Sequence, residues 1–232
     1  MTNNLPPWVK LPSQWIEEGG LDAFRWAQAK GADNLAALMG LTVISHNVDP
    51  NSAIARLTYD ELCDRTTLSR AKLSAGLNIL SECKLIEREP LGRSSYRLAN
   101  YNPAKGWAQF PAKGLYRGDT VEAFTSFKLR NPAEFDALKL YFLFASRRDR
   151  KTNMAKISYE KIEAYSGIDR NKIRRALSVL AANALVHIEM VPSKVSENGV
   201  AYAYRLAHLN TRRHMGTWGR GADEYDFDDL KE

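Results

Sequence analysis

Between Ile157 and Leu185 the apolar residues fall into two short helical runs, one on each side of Ser166-Gly167. In the second run Ile173, Ala176, Leu177 and Leu180 recur three and four positions apart, which predicts a helix with one face in a core. Asn171, Arg174, Arg175 and Ser178 project on the other side. Ser158 and Asp169 stand where a side-chain oxygen can accept from an unpaired N–H of a first turn, so Ser158 is expected to cap the first helix and Asp169 the second. From Leu185 the pattern changes. Leu185–Glu189 predicts a strand, and after a polar excursion around Asn198-Gly199, Ala201–Leu206 predicts its hairpin partner.

The same pattern occurs twice. Shifted by 100 positions, residues 21–89 lie on 121–189 without a gap, and identities include Ala23/Ala123, Phe24/Phe124, Leu38/Leu138, Tyr59/Tyr159, Arg70/Arg170, Lys72/Lys172, Leu80/Leu180 and Glu89/Glu189. Other core positions are conservative pairs, such as Leu62/Ile162 and Leu73/Ile173. The match resumes after the hairpin, where Tyr96–Ala99 meets Tyr204–Ala207, and extends backwards through Trp8/Trp107, Leu11/Phe110 and Pro12/Pro111. Two copies of this length point to two domains and not to a solenoid of short repeats.

Each copy opens on a strongly apolar helix. Asn131-Pro132-Ala133-Glu134 supplies a cap, a proline at the first helical position and a glutamate at the third. In the first copy Asp33 is expected to cap a helix from Asn34 to Ser45. Both helices are apolar nearly all round, which predicts burial on more than one side, as if the two copies packed together. Thr58 and Glu61 form a capping-box pattern, and Ser69 caps the helix that follows. That helix presents Ala71, Ser74, Ala75 and Asn78, small and uncharged where the second copy is arginine-rich. Its hairpin turn, Pro90–Ser95, carries Arg93 near the tip and is eight residues shorter than the second. Residues 1–20 read as an extended arm on the first domain, and Asn100–Lys113 as the domain junction.

The 232 residues carry a net charge of +6. The segment Asp223–Glu232 holds six acids against Lys231, a net −5, which leaves +11 on residues 1–222. A strongly basic body favours a polyanion partner. The longest apolar run, Leu140–Ala145, is far short of the ~20 residues a membrane helix needs, so no membrane partner is expected. Two cysteines, Cys63 and Cys83, do not make a disulfide scaffold; with no signal pattern in MTNNLPPWVK, the expected setting is cytoplasmic.

Arg174 and Arg175 suit the O6 and N7 edge of guanine in a major groove, where one good pair is worth about 1–3 kcal/mol of discrimination. Asn171 and Ser178 share their face; on the first copy's helix the polar candidates are Ser74 and Asn78. Arg170, Lys172, Arg70 and Lys72 flank the two helices, where phosphate contacts position a protein without specifying sequence. Arg93 and Lys194, on the hairpins, are candidates for the backbone or the minor groove. All of these charges also fit solvated helix faces. The chain lacks a phosphate-binding Gly-x-x-x-x-Gly-Lys-Ser/Thr loop, and His46, His187, His208 and His214 lack metal spacing, so neither catalysis, a metal nor a cofactor is expected. Beyond a basic stretch around Trp218, Asp223–Leu230 interleaves acids with apolar residues. It reads as a solubilising tail, as a short motif that anchors a partner protein through Phe227 and Leu230, or as a competitor of DNA for the basic face.

Residues 8–207 resemble a tandem winged-helix protein, with "ISYEKIEAYSGIDRNKIRRALSVLAANALVHIE" as the run of capped helix, turn, reading helix and wing. Two such units in one short chain are similar to plasmid and mobile-element replication initiators of the iteron-binding type. The resemblance implies an α+β, mainly helical fold of two tandem winged helix-turn-helix domains related by internal duplication. The expected domains are 1–100, 101–210 and a tail, 211–232. The implied function is non-catalytic, sequence-specific binding of double-stranded DNA, by a monomer or homodimer. Transcription control, or protein docking by the winged helices, are the alternative roles.

Overall fold

After a short α1 (Gln14–Glu17), two long helices, α2 (Gly31–His46) and α5 (Pro132–Ser146), run through the middle of the molecule. The computed structural model describes residues 5–27, 30–150, 152–192 and 200–209. Almost every residue of both helices is buried, because each is covered by the other and by its own half of the chain. The fold is α+β, with seven α-helices and several small antiparallel sheets among the described residues. None of these helices is long and apolar enough to cross a membrane.

In the first half α2 is followed by β2 (Ile54–Arg56), α3 (Tyr59–Thr66), α4 (Arg70–Glu82), β3 (Ile86–Arg88) and β4 (Ser95–Leu98). In the second, α5 is followed by β8 (Met154–Ala155), α6 (Tyr159–Ser166), α7 (Arg170–Ala182), β9 (Val186–Pro192) and β10 (Val200–Leu206). Both three-stranded sheets place the last strand in the middle, β2-β4-β3 and β8-β10-β9.

Local chemistry sets most helix starts. Thr58 and Glu61 make the full capping box, and the Ser69 and Ser158 hydroxyls accept from Lys72 N and Lys161 N. Such caps are worth about 1 kcal/mol each. Asn131 accepts from Ala133 N ahead of Pro132, while the Glu134 carboxylate takes the N–H groups of Lys128 and Leu129, both at 3.0 Å. Two expected caps are corrected. α2 begins at Gly31, so Asp33 lies inside its first turn, and its carboxylate bonds Lys72 Nζ at 2.7 Å. Asp169 does sit at the cap position of α7, yet its carboxylate pairs with Lys172 Nζ and caps nothing. At Asp169 the lysine ammonium competes for the oxygen with a backbone N–H, and a charge-assisted bond is the stronger.

The opening arm also departs from expectation. Instead of lying on the first half alone, β1 (Trp8–Pro12) pairs antiparallel with β5 (Trp107–Pro111), a strand inside the expected junction. The register opposes Trp8 to Pro111 and Pro12 to Trp107, with Lys10 opposite Gln109 at the centre. Exchanging each residue for its sequence match turns one outer pair into the other, so the ribbon is self-complementary about its centre. The neighbouring contacts are reciprocal as well. The 3-10 turn Gly20–Ala23 packs on α6 of the second half. In the other direction the β6–β7 hairpin (Tyr116–Arg117 and Thr120–Val121) packs on α3 of the first half through β7, and the matched turn Glu122–Ser126 follows it to the end of α3. There Thr67 Oγ donates to the Phe124 carbonyl at 3.1 Å and Thr120 Oγ to the Asp64 carbonyl at 2.9 Å. Contacts that map onto themselves on exchange are those of an isologous, two-fold arrangement.

One hydrophobic core therefore runs through both halves. Phe110 of β5 is fully buried and stacks on Phe142 of α5 at 5.2 Å, with His46 of α2 at 5.4 Å on another side. The buried Lys139 amine of α5 donates to the Phe24 carbonyl at 2.9 Å, tying the second half to the first. Burial holds its pKa down to about 8.

Candidate nucleic-acid interface

α7 packs on α5 through Ile173, Ala176, Leu177 and Leu180, all buried. That leaves Arg170, Asn171, Lys172, Arg174, Arg175 and Ser178 exposed on the opposite side. The turn before it works because Gly167 takes φ +65°, a left-handed conformation that L side chains rarely adopt. The matched Thr67 holds φ +61° in the first half.

The exposed cations divide into two kinds. Arg170 pairs with Glu160 of α6 at 3.4 Å and Lys172 with Asp169, so the cations at the start of the helix are held by local carboxylates. The guanidinium groups of Arg174 and Arg175 have no hydrogen-bond or ion-pair partner among the described residues. Ser178 uses its hydroxyl on the Arg174 carbonyl at 3.0 Å, and Asn171 stands exposed in the first turn.

On α4 the same positions are more committed. Arg70 pairs with Asp60 of α3, matching the Arg170–Glu160 pair, and Lys72 is drawn to Asp33 of α2. Ser74 is half-buried; Asn78 accepts a bond from Arg88 of β3 at 2.8 Å. Arg93 is exposed in the turn between β3 and β4, while Lys194, Phe227 and Leu230 lie outside the described residues. The fold thus brings Arg170, Asn171, Lys172, Arg174, Arg175 and Ser178 onto one helix face, and Arg70, Lys72, Ser74 and Asn78 onto another, with Arg93 on the adjoining hairpin.

No protein-family model matches the chain, and no curated protein matches it in sequence.

Sequence reasoning missed three participants at these faces. Asp60 and Glu160 hold the flanking arginines, and their recurrence ten residues before Arg70 and Arg170 was the available signal. Arg88 was hidden in a strand of three residues, too short to show an alternation. The apolar outer part of the β9–β10 hairpin, Ile188, Met190 and Tyr202, is exposed although strand alternation alone assigns it to the core face. Among the described residues no group of His, Cys, Asp and Glu is placed to hold a metal ion. His46 is buried with Nδ1 at 2.9 Å from the Tyr116 hydroxyl, and Cys63 and Cys83 are free thiols whose pKa values burial pushes up.

Proposed function

We propose that this chain binds double-stranded DNA sequence-specifically and without catalysis, as a replication initiator of a plasmid or mobile element. In this reading residues 1–100 and 101–210 are winged helix-turn-helix domains that arose by internal duplication. α4 and α7 are the reading helices, and β3–β4 and β9–β10 are the wings. The observation that carries it is the pair Arg174 and Arg175, solvent-facing on α7 and unpaired among the described residues, while the arginine and lysine at the helix start are held by carboxylates. Unpaired guanidinium forks on a helix narrow enough for a major groove suit base edges. Arg170 and Lys172, at the helix start, reach phosphates by exchanging Glu160 and Asp169 for them, contacts that position without specifying sequence. The +11 of residues 1–222 supplies the non-specific attraction.

Two reading helices on one DNA face engage sites about one helical turn apart, ~10–10.5 bp. Their faces differ, Ser74 and Ala75 standing where Arg174 and Arg175 stand in the second half, so the site is asymmetric. A salt-resolved titration on random and selected duplexes tests the reading. The wild type selects a sequence and loses affinity steeply with salt. Arg174→Ala/Arg175→Ala keeps weak binding and loses the preference. If neither protein binds duplex DNA at moderate salt, the reading fails. Selection of a site that recurs as a direct array favours initiation over promoter control.

A further inference from the structure

The β9–β10 hairpin carries an apolar strip that the core does not cover. Opposed residues of an antiparallel pair share a face. The register opposes Val186 to Leu206, Ile188 to Tyr204 and Met190 to Tyr202. At the base of this face Val186, Leu206 and Tyr204 are buried, with Tyr204 stacked on Phe144 at 4.3 Å. Farther out, Ile188 is 40% exposed, Tyr202 52% and Met190 70%. Grouped large apolar side chains in water mark a surface that something covers. In the first half the matched position, Arg88, reaches the reading helix and bonds Asn78. The counterparts in the second half are Ile188 and Ser178, and β9 packs against α7, which sets the inner end of the strip beside that helix. The surface is apolar along the strip and cationic at Arg174 and Arg175.

We infer that the segment Asp223–Leu230 of the same chain docks on this surface. Phe227 and Leu230 lie on the strip, and the carboxylates face Arg174 and Arg175. The sequence DEYDFDDL alternates acid and apolar residues and so matches both sides of the surface. Its charge opposes that of the body, −5 for residues 223–232 against +11 for residues 1–222. The connection is long enough. The described chain stops at Leu209, whose carbonyl accepts from Asn153 Nδ2. Residues 210–222 can span ~43 Å when extended, more than the ~26 Å that twice the radius of gyration of a 100-residue unit amounts to. Tethering also raises the effective concentration into the millimolar range, so a weak contact suffices. The consequence, that the segment excludes a polyanion from α7, rests on the DNA-binding reading; the contact itself does not.

The test uses the full chain, the chain shortened after Ala222, and the full chain with Phe227→Ala/Leu230→Ala, which keeps every charge. A fluorescent peptide of residues 223–232 binds the shortened chain saturably in the absence of DNA. Its affinity falls about tenfold or more with Met190→Ser/Tyr202→Ser and with Arg174→Ala/Arg175→Ala in that chain. Circular dichroism checks that these surface variants remain folded. Duplex DNA binds the shortened chain and the charge-preserving variant about tenfold more tightly than the intact chain. A peptide that does not bind, or whose binding ignores Met190 and Tyr202, overturns the docking. So does a charge-preserving variant that binds DNA like the intact chain, since charge alone then accounts for any effect of shortening. Concentration-dependent dimers of the intact chain, absent from the shortened one, also overturn it, because the segment then sits on a second copy. Peptide binding without DNA binding by any of the chains leaves the docking standing and ends the DNA reading; the reverse ends the docking alone.

Discussion

The guanidinium of Arg147 lies 4.1 Å from the ring centroid of Tyr165, joining the end of α5 to the end of α6. The matched pair in the first half is Asn47 and Arg65, and there the guanidinium sits on the other partner and donates to the Asn47 amide oxygen. Each half thus fastens its first helix to its second with one cation, but from opposite sides. Glu61, one turn before Arg65 and 3.7 Å from it, supports the first arrangement, and its match is Lys161.

The arrangement can be exchanged. Arg147→Asn removes a cation–π contact worth about 0.5–2 kcal/mol. Tyr165→Arg brings two guanidinium groups together and is destabilising as well. Arg147→Asn/Tyr165→Arg rebuilds the first half's pair, so the double variant is more stable than the sum of its singles by about 1 kcal/mol, and adding Lys161→Glu recovers more. Urea denaturation of the four proteins gives the coupling. Strict additivity would show that the two pairs are not equivalent.

His46 contributes to the loss of stability toward acid pH. Burial is the main cause that lowers its pKa from 6.5 to about 3. The unfolded chain therefore takes up a proton near pH 6.5, and the folded chain does so only near the lower value. Between them the unfolded state binds more protons, and stability falls as pH drops, by about 1.4 kcal/mol per unit. Bonds from Thr58 hold the Glu61 carboxylate below its ordinary value, so it contributes only at more acidic pH. His46→Gln should flatten the profile of unfolding free energy between about pH 6.5 and 5. Parallel profiles for the two proteins would mean that some other group is responsible.

The caps show what the sequence makes legible. Thr58, Ser69, Ser158 and Asn131 act within three residues of themselves, and their bonds follow from local spacing. Asp169 satisfies the same spacing rule and fails because Lys172 reaches its carboxylate, whereas Asp33 fails because α2 already begins at Gly31, which leaves its carboxylate to Lys72 of another helix. The apolar girth of α2 and α5 announced burial on several sides. The β1–β5 ribbon did not announce itself, since each strand has only five residues and pairs across about a hundred positions of chain. At the candidate interface the sequence showed which residues share a helix face. It could not show which cations are already paired, because that depends on Asp60 and Glu160 of the preceding helices.

Close packing of α4 on α2 gives a prediction opposite to helix propensity. A Cβ at Gly76 would lie 2.7 Å from Ala37 N and 2.8 Å from the Ala36 carbonyl carbon, both backbone atoms. In an exposed helix alanine is favoured over glycine by about 1 kcal/mol. Here Gly76→Ala must push two helices apart, and a net loss of about 1–3 kcal/mol is expected. The matched residue is already alanine, Ala176, fully buried. Ala176→Gly should therefore also destabilise, by about 1 kcal/mol from propensity plus lost packing. Thermal or urea denaturation checks both. A Gly76→Ala protein more stable than wild type would refute the tight approach.

The self-complementary ribbon bears on the form of the DNA site. Pairs that interchange about Lys10 and Gln109, with reciprocal packing on α3 and α6, relate the halves by a two-fold rotation and not by a translation. Under the proposed function, α4 and α7 then approach DNA in opposite orientations, and two equal faces would read an inverted repeat. The wild-type faces are unequal at two main positions, where Ser74 and Ala75 stand against Arg174 and Arg175. Ser74→Arg/Ala75→Arg copies the arginine pair of the second face onto the first, leaving Ala71 and Asn78 against Asn171 and Ser178. Selection from a random duplex library should then return sites whose left arm acquires the inverted complement of the right, with half-site centres still ~10–10.5 bp apart. The added forks should tighten binding by about 1–3 kcal/mol per good base contact. A direct repeat among the selected sites would contradict the rotational relation. An unchanged asymmetric site would show that α4 does not enter a groove.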